Sequence, residues 1–164
     1  MGCDRLSEPS HRDDPAAWPC SERRALVVFE NRTEGGLLRL LRPGFRHCFC
    51  LVADGAHWIV CDPLKSRVEL TIVTSPNEGV LADQLARPGR TVLRGQIRSD
   101  RAPRPPRLRP VTCVETVMRI LNVDAAGVLT PYQLFRHLLG PLAADRGFAT
   151  HHDRRAFALD GDVR

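Results

Sequence analysis

Apolar and polar residues fall into short runs along most of the chain, separated by turn-forming residues. Ala25-Leu26-Val27-Val28-Phe29-Glu30 predicts a first strand. Asn31 to Gly36 is turn-like, and Leu37 to Leu41 is a short apolar segment ended by Pro43-Gly44. Arg46 to Ala53 and Ala56 to Asp62 predict two strands joined at Asp54-Gly55, a dipeptide that suits a type I′ hairpin turn. Pro63 should end that ladder. Val68 to Val73 alternates, is β-branched and predicts a further strand, as does Thr91 to Ile97. Three stretches predict helix starts. Ser75-Pro76-Asn77-Glu78 and Thr112-Cys113-Val114-Glu115 match the S/T-x-x-E capping box, and Thr130-Pro131-Tyr132-Gln133 places proline at the first helical position. The helices should run to about Ala86, through Leu121, and to Gly140-Pro141. This pattern predicts an α+β fold, an antiparallel β-sheet of about four or five strands packed with a few helices. Residues 23–142 form the expected domain, between a disordered tail at 1–22 and a flexible tail at 143–164.

Length and composition fit that picture. A chain of 164 residues with 43% hydrophobic residues suits one domain with a real core. No run of about 18 apolar residues predicts a membrane span. Met1 to Pro19 carries no apolar core of a secretion signal, so a cytoplasmic location and reduced thiols are expected, with a phage or prophage particle as another setting. Met1-Gly2-Cys3 has Leu6 where the myristoylation pattern wants Ser or Thr. The net charge is +5, and Lys65 is the only lysine among many arginines. Arg98 to Arg109 is a basic, proline-rich run that suits either a semi-rigid linker or phosphate contacts. It has no interleaved aromatic residue, which argues against nucleic-acid binding.

The candidate chemistry lies in two places that the hairpin and a helix start bring into play. Thr112 as N-cap puts Cys113 at the first helical position, where free N–H groups and the helix dipole favour a thiolate. Burial as a small apolar residue is the competing expectation for Cys113. Counting outward from Asp54-Gly55, Cys48 faces Cys61 and His47 faces Asp62, so a histidine and a carboxylate share one sheet face. If the Cys113 helix packs on that face, Cys113, His47 and Asp62 supply nucleophile, base and orienting group. His57 points to the other face by period 2 and is held in reserve as the third residue, to be admitted by a bulge. Trp58, on the His47 face, either lines the substrate pocket or packs in the core. Cys48, Cys50 and Cys61 share the opposite face, where apolar packing outweighs a disulfide or a metal site with His57. No cofactor or metal is expected.

A histidine on one strand, a polar partner on the next and a later cysteine opening a helix resemble the circularly permuted NlpC-like branch of the papain-like cysteine hydrolase superfamily, which includes lecithin:retinol acyltransferase and its relatives. The order His47 before Cys113 is the permuted one. The resemblance spans roughly residues 25–140. Thr112 stands where the family often has asparagine, and Asp62 where it often has a second histidine. The resemblance implies a thiol-dependent hydrolase or acyltransferase, a cysteine peptidase or amidase among them, acting through a thioester on a peptide or acyl substrate. The alternatives are a non-catalytic binding or structural module on the same fold, and a basic nucleic-acid-binding domain.

Overall fold

The computed structural model describes residues 23–32, 35–98 and 111–151. The expected tail at 1–22, Cys3, Cys20 and the arginine–proline run beyond Arg98 lie outside these residues. Six strands form one antiparallel sheet: β1 (Arg23–Glu30), β2 (His47–Asp54), β3 (His57–Pro63), β4 (Val68–Thr74), β5 (Arg90–Ile97) and β6 (Ala149–Thr150), in spatial order β4-β3-β2-β1-β5-β6. Three α-helices accompany them: α1 (Glu78–Leu85), α2 (Cys113–Ile120) and α3 (Pro131–Leu138). This is the expected α+β class, with one strand beyond the expected range.

β1 sits at the centre with both faces covered, so Ala25 to Glu30 are all buried. That explains its unbroken apolar run, which a half-exposed strand would interrupt with polar residues. On one face Val27, Phe29, Cys48 and Cys50 pack against Val114 and Val117 of α2 and Leu134 of α3. On the other, Leu26, Phe49, Leu51 and Trp58 pack against Leu81 and Ala82 of α1.

The hairpin register differs from the one expected. Asp54 pairs with His57 and Cys50 with Cys61, so the turn residues are Gly55-Ala56. Gly55 takes φ 61°, whereas Ala56 is not left-handed. A glycine at the first central position of a II′-like turn serves the hairpin with one left-handed residue, where type I′ needs two. Each β2 residue therefore meets a β3 partner two positions further on. A shift of two preserves the faces, so His47 and Asp62 still share one.

Two further expectations are corrected. Asn77, not Ser75, caps α1: its Oδ1 accepts from Gly79 N at 2.8 Å and Val80 N at 3.2 Å. The Ser75 hydroxyl instead donates to the Asn77 carbonyl at 3.1 Å, and its N–H bonds the Ala56 carbonyl across from β3. The segment from 143, expected to be a flexible tail, is built into the fold as far as His151. A 3-10 helix at Pro141–Arg146 and strand β6 follow α3, and Arg146 is fully buried. Its Nη1 and Nη2 donate to the carbonyls of Leu121 and Asn122 at 2.7 and 2.8 Å. Those carbonyls lie just past the C-terminal end of α2, where partners are otherwise lacking. The Leu37–Leu41 segment forms a 3-10 helix at Gly36–Leu40.

Candidate active site

Local sequence sets the position of each site residue. Thr112 is extended and its hydroxyl accepts from Glu115 N at 3.2 Å, so α2 starts at Cys113. Val114, Val117 and Met118 bury the helix face that fixes α2 on the sheet. Phe45 anchors the chain just ahead of His47, its ring 5.6 Å from Phe29 and 4.9 Å from Phe135. His47 then opens β2, and Asp62 lies near the end of β3.

His47 Nε2 is 2.7 Å from Asp62 Oδ1. The Cys113 thiol stands close enough to the side chains of His47 and Cys48 for both to act on its charge. The structure thus brings Cys113, His47 and Asp62 together, though by a different route from the one the strand pairing suggested. α2 packs on the Cys48/Cys50 face rather than the His47 face. The contact is possible because His47 is the first residue of its strand, where a side chain from one face can meet a helix terminus standing over the other.

Behind His47 runs a line of alternating charge. Arg32 pairs with the second oxygen of Asp62 and, at 3.0 Å, with Glu30 Oε1. Arg90 holds Glu30 Oε2 at 2.7 Å. Glu30 is paired with His47 across β1 and β2 and with Arg90 across β1 and β5, so the row follows the end of the sheet. Glu30 is 6% exposed, and a carboxylate so buried is costly unless it is paired.

The electrostatics favour a thiolate–imidazolium pair. The hydrogen bond from the Cys48 side chain, opposed by burial and aided by His47 and by a backbone hydrogen bond from Cys48, lowers the Cys113 pKa to about 5. For His47, burial opposes the charge, but hydrogen bonds to Cys113 and Asp62 outweigh it and raise the pKa above 6.5. Cys48 itself is pushed well up by its burial and by Cys113, and so stays a protonated donor.

These residues open onto a pocket of about 180 Å³. His47, Thr112 and Cys113 line it together with Pro63 at the end of β3 and Leu64 after it, and Arg32, Arg46 and Lys65 add positive charge. Trp58 is not part of it. It is fully buried against α1, its Nε1 donating to the Ser75 carbonyl at 3.2 Å, so its role is core packing. His57 stands exposed at the far end of the hairpin, 3.1 Å from Thr74 Oγ1, away from the site. Cys50 and Cys61 are in hydrogen-bond contact beneath α2, and Cys48, Cys50, Cys61 and Cys113 are all free thiols. Among the described residues no group of three His, Cys, Asp or Glu side chains is arranged to hold a metal ion. None of their helices is long and apolar enough to cross a membrane.

Sequence reasoning missed Cys48 and Arg32 as neighbours of the site. Strand alternation puts Cys48 on the face opposite His47, and no local pattern says that α2 covers that face. Arg32 lies just past the end of β1, with no sequence pattern to mark it. Compared with protein-family models, curated proteins and solved structures, the chain matches none of them.

Proposed function

We propose that the protein is a thiol-dependent acyl-transfer enzyme, a hydrolase or acyltransferase acting on an amide, peptide or ester carbonyl. The observation that carries this reading is the grouping of Cys113 with a His47–Asp62 pair 2.7 Å apart, His47 and Cys113 lining the same pocket. His47 holds the proton of Cys113, and Asp62 fixes the imidazole through Nε2, leaving Nδ1 to face the sulfur. The thiolate attacks the carbonyl carbon. The oxyanion that forms lies at the start of α2, where the Cys113 backbone N–H has no helical partner. Collapse of the tetrahedral species breaks the bond to the leaving group, which takes the His47 proton and departs, leaving a thioester. Water or an amine then attacks with His47 as base, and the sulfur leaves as thiolate. The same chemistry underlies the resemblance to the permuted papain-like enzymes.

The test is the pH dependence of Cys113 alkylation by iodoacetamide, followed by mass spectrometry. Below about 5 the thiolate is protonated, so the rate should rise through pH 5 and be high at pH 6, well under the range of an ordinary thiol. His47→Ala should remove that low-pH reactivity. A wild-type profile rising only near pH 8 to 9 would sink the reading and leave a scaffold or binding module.

A further inference from the structure

We infer that the pocket selects acyl substrates carrying a carboxylate close to the scissile carbonyl, an inference that rests on the reading of Cys113 as nucleophile. Three cations line the pocket and no acidic side chain does. The nearest carboxylate, Asp62, is already matched by His47 and Arg32. Arg46 is different from Arg32. Its Nε and Nη2 donate to the carbonyls of Leu41 and Arg39, which are neutral acceptors, at 3.4 and 3.1 Å. Those bonds hold the guanidinium in place beside His47 without cancelling its charge, and a guanidinium has five N–H donors in all. Lys65, in the β3–β4 turn, also lines the pocket.

Size and lining narrow the class further. At about 180 Å³ the pocket is smaller than the roughly 300–1,000 Å³ of sites that enclose a whole drug-sized ligand. It therefore receives a short arm of a substrate rather than a long lipid chain. Leu38, Pro63, Leu64 and Val111 give that arm an apolar wall. An acyl group of a few carbons ending in a carboxylate, as in a dicarboxylic half-amide or an acidic side chain, satisfies both the wall and the cations.

Two alkylating reagents of near-equal size test this without knowledge of the natural substrate. In each, the Cys113 sulfur bonds the methylene carbon and iodide leaves with the C–I electron pair. Iodoacetate carries the carboxylate and iodoacetamide does not. The ratio of their rate constants at Cys113 is divided by the same ratio for N-acetylcysteine, at pH 6.5. In the full chain this normalised preference should exceed 1. Arg46→Ala and Lys65→Ala should each lower it about two- to fivefold, the range of a partly exposed charge contact, each variant's iodoacetate rate being read against its own iodoacetamide rate. If Arg46→Ala does not fold, Lys65→Ala alone decides. A preference unchanged in the variants, with Cys113 still fast toward iodoacetamide, overturns the carboxylate assignment and leaves the nucleophile standing. A Cys113 slow toward both reagents overturns the two together.

Discussion

The state of Cys113 is decided by a contest between burial and donors. Burial alone raises a thiol's pKa, and two neighbours reverse the outcome. The larger of these is not the histidine but Cys48, whose thiol and backbone both bond the sulfur. Cys48→Ala keeps the small apolar volume while removing the S–H donor. The alkylation midpoint of Cys113 should then move above pH 5, and the rate at low pH should fall about tenfold for each unit of movement. An unmoved midpoint would show that His47 alone sustains the thiolate. Half of the site was readable from residue type and spacing: a helix-start cysteine, and a histidine sharing a sheet face with an aspartate. Cys48 was not, because its effect depends on which face α2 covers.

At the level of elements, caps and strands were legible where the physics is local. Thr112 and Thr130 cap α2 and α3 where the four-residue patterns placed them. The register of β2 and β3 was not, since Asp54-Gly55 supports two turn geometries and only the fold chooses. The face covered by α2 was also out of reach: the chain between β5 and α2 carries no pattern that says to which side it crosses. Tertiary fit similarly decides the one glycine inside β5. A Cβ on Gly95 would stand 2.4 Å from the Phe148 ring, so Phe148 packs where a side chain would otherwise be. Gly95→Ala should destabilise the protein by roughly 1–3 kcal/mol, as overpacking does, measured by urea unfolding. A change under about 0.5 kcal/mol would mean that Phe148 moves aside freely.

Across the whole molecule, α2 is held at both ends by residues far apart in the chain. Thr112 caps its start, and the buried Arg146 binds the carbonyls just past its finish. Asn122, at φ 53°, turns the chain away between them. Arg146→Met keeps much of the side-chain volume but leaves two carbonyls without their charged donor. It should cost about 2 kcal/mol or more by urea unfolding, and slow Cys113 alkylation at pH 6 as the helix loses its seat. Full stability in that variant would show that other contacts alone clamp the helix.

The clamp also has a meaning in time. A chain grows from its N-terminus, so His47 and Asp62 emerge first and can pair within their own hairpin. Cys113 follows more than fifty residues later, and its helix is not secured until Arg146 has been added. Synthesis thus makes the His47–Asp62 pair available first and seats Cys113 beside it last.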